Sequence, residues 1–161
     1  MSVNRYLPHV LVLPEDDANR QIANGFLLDP FLNDRAIQVL PPAGGWSKVR
    51  DSFAEAYLPE MAKLRQRYMI LLVDFDKHDN RVKEVKKVIP PELVDRVFVV
   101  GVLSEPEELK KAKLGKYEDI GKGLSEDCRN QSAKTWGHEL LRHNLVEVGR
   151  MTSIVRPILF P

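Results

Sequence analysis

Three short runs of consecutive apolar residues constrain the fold of this chain more than any other feature. They are His9 to Leu13 (HVLVL), Tyr68 to Val73 (YMILLV) and Val97 to Leu103 (VFVVGVL). Runs this short, continuous and rich in Val, Ile and Leu read as strands buried on both faces, the signature of a parallel sheet. A fourth, weaker strand is expected at Ala36 to Leu40 (AIQVL), closed by Pro41-Pro42. The intervening segments read as helices. Ile22, Ala23, Phe26 and Leu27 mark one helical face, with Asp16 or Asp17 as N-cap. A second helix follows Gly44-Gly45-Trp46, capped by Ser47, with a stripe of Val49, Phe53, Tyr57, Met61 and Leu64 and a kink at Pro59. A third runs from about Asn80, with Val82, Val85 and Ile89 inward, to Pro90-Pro91. A fourth carries a capping box, Ser104 to Glu107, and continues through Leu109. Strands alternating with helices predict an α/β three-layer sandwich, Rossmann-like, with a mostly parallel central sheet.

The length of 161 residues fits one α/β domain. Its core is expected over about residues 9–113, with a helical C-terminal extension over about 114–161. That extension is read as a helix from about Ser132 to His143, with Trp136, Leu140 and Leu141 on its buried side. The tail from Ile154 to Pro161 (IVRPILFP) is apolar enough that it must pack on the domain, a protein partner or a second copy of the chain. Lys and Arg number 24 against 23 Asp and Glu, a net charge of +1 that excludes broad electrostatic capture of nucleic acid. The single cysteine, Cys128, excludes an internal disulfide and sits in no catalytic or zinc-binding motif. Neither a secretory signal nor a membrane-spanning run is seen, so the expected compartment is cytoplasmic and bacterial.

In open α/β sheets, ligands bind outside the carboxyl ends of the strands. All three strong strands end in acids: Glu15-Asp16-Asp17, then Asp74-Phe75-Asp76, then Glu105-Pro106-Glu107-Glu108. Alternation along an extended segment would put Asp74 and Asp76 on one side, where the two carboxylates repel unless a cation lies between them. Oxygen ligands of this kind suit Mg²⁺ or Mn²⁺, with Glu15 as a further ligand or general base. Asp16, Asp17 and Asp79 are better explained as turn and cap residues than as ligands, and Glu105, Glu107 and Glu108 as first-turn residues that complement a helix dipole. His78 could touch a phosphate or metal, or be a solvent-exposed turn residue. His138 and His143 lie five apart and do not share a helical face. Lys110, Lys111, Lys113 and Lys116 could contact nucleic-acid phosphates or be solvated.

A strand ending in VLVLPEDDAN, with Glu15 followed by Asn19, and a later strand ending in LLVDFD resemble the Toprim domain. That domain occurs in topoisomerases, primases, overcoming-lysogenization-defect nucleases and small stand-alone proteins of bacterial defence loci. The resemblance covers about residues 9–110. It implies Glu15 as the acid/base residue and Asp74 and Asp76 as Mg²⁺ ligands, hence divalent-metal-dependent phosphodiester chemistry on nucleic acid. Ser104-Glu105-Pro106-Glu107 is similar to a glutamate-containing segment of some small Toprim-like proteins. The chain departs from the pattern at Asp16, where the family usually has glycine. A competing resemblance is to response-regulator receiver domains, which implies a signalling role. In that reading Asp16 belongs to the acidic pair, Asp74 accepts the phosphoryl group, Ser104 is the hydroxyl residue after the next strand and Lys122 stands for the conserved lysine. A third reading keeps the fold as a non-catalytic interaction protein.

Overall fold

The computed structural model describes residues 2–77 and 80–161. The four expected strands form, as β1 (His9–Pro14), β2 (Ile37–Val39), β3 (Arg67–Leu72) and β4 (Val97–Val100). They make one sheet in the order β2-β1-β3-β4, with every pair parallel. In register, Val12 lies beside both Val39 and Ile70, and Leu71 beside Val99. Seven helices accompany the sheet among the described residues: α1 (Asp17–Phe26), α2 (Trp46–Ser52), α3 (Leu58–Met61), α4 (Asn80–Lys87), α5 (Pro106–Lys111), α6 (Tyr117–Asn130) and α7 (Leu145–Leu159).

Both sheet faces are buried, which is why the strands are apolar without alternation. Val10, Val12, Ile70, Phe98 and Val100 pack against α1, α6 and α7. Leu11, Leu13, Met69, Leu71, Val97 and Val99 pack against Val49, Phe53 and Met61 of the α2–α3 run and Val82 and Val85 of α4. Each such side chain contributes roughly 1.5–3 kcal/mol on leaving water, which makes this three-layer core the main stabilising element. Asp16 caps α1 by accepting from the Asn19 amide. Pro59 falls at the start of α3, after a π-helical turn at Phe53–Tyr57, so the expected kink is a widened turn.

Several local expectations are corrected. The second helix starts at Trp46 with Gly45 as N-cap, so Ser47 is not its cap. The capping box at Ser104 does not form: Glu105 is the N-cap of α5, and the buried Ser104 hydroxyl has no partner among the described residues. Residues 132–141 are turns, not a helix. The cause is Asp127, whose buried carboxylate accepts from the Ser132 hydroxyl and the Lys134, Thr135 and Trp136 amides and winds that segment around itself. Trp136 and Leu141 are buried nonetheless.

The C-terminal region is part of the core, since Ile120 and Leu124 of α6 and Met151, Val155 and Leu159 of α7 share one cluster with the sheet. Helices α1 and α6 cross at two glycines. A Cβ on Gly25 would strike the Glu118 backbone, and one on Gly121 the Ile22 carbonyl. The apolar tail packs on its own domain, with Val155, Leu159 and Phe160 buried, which removes the reason for expecting an interface there. Helix α7 also covers the exposed edge of β4. Glu147 accepts the Val99 amide, Arg150 donates to the Val97 carbonyl, and the Asn144 side chain pairs with both the amide and the carbonyl of Gly101. These side chains stand where a fifth strand would lie, and they satisfy an edge that would otherwise recruit another strand.

Candidate functional site

The chain reverses direction across the sheet between β1 and β3: β2 lies on one side of β1, and β4 lies beyond β3. The carboxyl ends at such a switch point are where open α/β sheets bind ligands. Glu15 and Asp74 stand at this point. The Glu15 amide continues the ladder by donating to the Leu72 carbonyl at 3.0 Å. Its own carbonyl accepts from Gly44 at 2.8 Å and Gly45 at 3.1 Å, so the glycine loop after β2 wraps the residue. Both glycines have positive φ, 97° and 145°, a backbone state that other residues rarely adopt.

The Glu15 carboxylate turns toward β3, where Oε2 accepts the Asp74 backbone amide at 2.7 Å. The Asp74 carboxylate accepts from Asn19 Nδ2 at 3.2 Å, and the same amide reaches Asp16 Oδ1 at 3.1 Å. Glu15 is 8% exposed, Asn19 2% and Asp74 5%. Burial, then the charge of Glu15, pushes the Asp74 carboxyl up to about 8, with Asp16 and Glu107 adding to it against the Asn19 hydrogen bond. Burial also raises Glu15, opposed by the Asp74 and Trp46 amides and by the charge of Arg81. Two acids withdrawn from water beside each other carry an electrostatic cost that protonation or a bound cation would relieve.

The structure separates the two aspartates expected to act together. Beyond Leu72 the chain keeps pairing with the segment after β4, through Val73 to the Val100 carbonyl and Phe75 to the Val102 carbonyl. At Asp76 and Lys77 it turns into the left-handed region, with φ of 51° and 61°. Their amides donate to the Ser104 and Leu103 carbonyls. Strand alternation ends there. The Asp76 side chain is 64% exposed and pairs with Arg81 at 3.2 Å. Asp74 and Asp76 therefore do not share a side.

Glu105 and Glu107 are exposed at the start of α5, and the charge of Glu107 reaches Asp74. Tyr117, at the start of α6, was not expected in the site. Its ring lies under Lys110 Nζ at 4.2 Å, and burial with the charges of Glu107, Asp16, Asp74 and Glu105 raises its phenol. Lys122 is exposed on α6 and makes no ion pair with Asp74. Ser104 is buried behind the loop. His78 and Asp79 lie outside the described residues. His143 donates from Nε2 to the Gly101 carbonyl and packs edge-on against Phe75, while His138 accepts the Leu140 amide, so each histidine has a local structural partner.

Among the described residues, no three histidine, cysteine or acidic side chains are grouped to hold a metal ion. Two buried carboxylates still fit Mg²⁺, which commonly takes one or two carboxylates and completes its shell with water and substrate oxygens. The chain matches no protein-family profile, no curated protein and no solved structure. Among the described residues, no helix is long and apolar enough to cross a membrane.

Proposed function

We propose that Glu15 and Asp74 hold a divalent cation, Mg²⁺ or Mn²⁺, and that the site performs Toprim-like phosphodiester chemistry on nucleic acid, in a cytoplasmic bacterial defence or repair setting. The observation that carries this reading is the Asp74 carboxyl, buried at the switch point with its own amide held by Glu15, where burial and then the Glu15 charge raise it to about 8. A bound cation would supply electrostatic stabilisation of the phosphoryl oxygens. Asn19 would orient the Asp74 carboxylate through its amide. Glu15, anchored on the Asp74 amide, would hold or move the proton of the attacking group. The test is a titration of Mg²⁺ and Mn²⁺ into wild type, Glu15→Gln and Asp74→Asn, read by melting temperature and calorimetry. Saturable stabilisation of the wild type alone is expected. If neither metal shifts the wild-type melting temperature, the reading fails.

A second reading, a receiver-like signalling domain phosphorylated at Asp74, is favoured by the strand order, which matches the first four strands of a flavodoxin-like sheet, and by the buried Ser104 hydroxyl after β4. The Glu147 and Arg150 side chains of α7 on the β4 edge, and Lys122, exposed on α6 and without a charge contribution at Asp74, count against it. Labelling with acetyl phosphate separates the two, because only the receiver reading predicts an acid-stable, base-labile adduct at Asp74.

A further inference from the structure

We propose that Arg81 is the phosphate-binding residue of this site and that Asp76 positions its guanidinium. The inference rests on the cation reading of Glu15 and Asp74. Negative charge gathers around Asp74, because the charges of Glu15, Asp16 and Glu107 all reach it. A second positive group beside the cation would offset the remaining acids and favour the approach of a phosphate oxygen. Arg81, in the first turn of α4, is the side chain placed to supply it. Its charge reaches Glu15, and one terminal nitrogen pairs with Asp76 at 3.2 Å.

Among the described residues, that pairing engages one corner of the guanidinium. Arginine carries five donors in a planar fork that matches two phosphate oxygens at once. Among the described residues, Arg81 gives one of them, on Nη2, to Asp76. The Arg81–Asp76 pair is half open to water, 31% and 64% exposed, so a phosphate can reach the other donors of the fork while Asp76 keeps its hold on one nitrogen. The left-handed backbone at Asp76 and Lys77 gives the arrangement its fixed point. Hydrogen bonds from both amides to the 103–104 segment hold the turn, so Asp76 is directed at α4 and away from Asp74. The second acid of the Asp-x-Asp motif thereby serves an arginine and not the metal. Neutralising Asp76 should loosen phosphate binding without weakening the cation site.

Two measurements separate this inference from the reading beneath it. Mn²⁺ affinity, by electron paramagnetic resonance, reports the acid pair. Phosphate affinity, by calorimetry with and without saturating Mg²⁺, reports Arg81, with inorganic phosphate and a short oligothymidylate as probes. Arg81→Ala should keep wild-type Mn²⁺ affinity within about twofold and lose about tenfold or more in affinity for both probes, the size of one lost charge-assisted hydrogen bond. Arg81→Lys should recover part of that loss, and Asp76→Asn should lose a few-fold. Loss for the oligonucleotide alone assigns the site to phosphodiesters, and loss for both assigns it to any accessible phosphate; either supports Arg81. Unchanged probe affinity in Arg81→Ala, or no binding of either probe by wild type, overturns the inference. Loss of Mn²⁺ binding in Asp76→Asn would return Asp76 to the metal and overturn its positioning role. Absent Mn²⁺ binding by wild type overturns the cation reading, while the metal-free phosphate titration still decides Arg81.

Discussion

At the amino ends of β1 and β3, His9 lies opposite Arg67; at their carboxyl ends, Glu15 meets Asp74. All four residues are buried. The first pair is complete within the chain. His9 donates from Nδ1 to the Leu7 carbonyl and accepts Arg67 Nε at 3.1 Å on Nε2, while the guanidinium also pairs with Glu60. The second pair joins like charges, and its positive complement is missing from the bonded partners. Buried groups paired with a complementary partner hold a fold together, while buried like charges with perturbed pKa values mark a candidate functional site. One strand pair thus carries a structural device at one end and a candidate reactive site at the other.

The largest effect should come from breaking the complete pair. Arg67→Met leaves a buried imidazole acceptor unpaired and strands Glu60, and it should cost on the order of 3 kcal/mol in chemical denaturation. A loss below about 1 kcal/mol would mean that the amino-end pair is dispensable. The incomplete pair should respond with the opposite sign. Asp74→Asn keeps the shape, removes the like-charge repulsion and should stabilise the protein by on the order of 2 kcal/mol at pH 8. It should also abolish the response to Mg²⁺. A destabilised Asp74→Asn protein would make this carboxylate a structural group.

The two ends should also titrate in opposite directions. The folded Asp74 pKa, about 8, lies above its ordinary value of 3.8, so the folded state holds a proton that the unfolded chain has released. Its contribution is fully present below about pH 4 and is lost as pH rises through about 8. Added Mg²⁺ should restore stability at the alkaline end. His9 runs the other way. Burial lowers its pKa below 6.5, so its contribution is present above pH 6.5 and is lost as pH falls, when the unfolded chain takes up the proton first. Melting temperatures of wild type, Asp74→Asn and His9→Gln from pH 5 to pH 9 test both slopes. Parallel curves for wild type and Asp74→Asn would refute the alkaline assignment.

The contrast between the ends also separates what the sequence displays from what it hides. The four strands and α1 and α4 were legible because burial on both sheet faces leaves unbroken apolar runs, and amphipathic helices leave a stripe. Glu15 and Asp74 were legible because acids directly after buried strands stand out. Arg67 was not, since an arginine bordering an apolar run looks like a strand end at the surface, and its burial depends on His9 from a distant strand. Helix α6 was hidden by Gly121 and Gly123, which lower helix propensity yet are the residues that allow close approach to α1 and Thr135. Helix α7 was hidden by its internal Pro157.

Asp76 is the subtlest case, because its conformation is imposed by the 103–104 segment and leaves no trace in local pattern. It should also give the smallest stability effect. The side chain is exposed, and its bond to Arg81 is a surface ion pair worth about 0–1 kcal/mol. The backbone turn is held by main-chain groups, not by the carboxylate. Asp76→Asn retains the residue type that best tolerates left-handed backbone, so only the charge is removed. Its unfolding free energy should stay within about 0.5 kcal/mol of wild type. A much larger change, or a stabilisation matching that of Asp74→Asn, would show that the two aspartates feel each other's charge and that the separation seen at the end of β3 closes in solution.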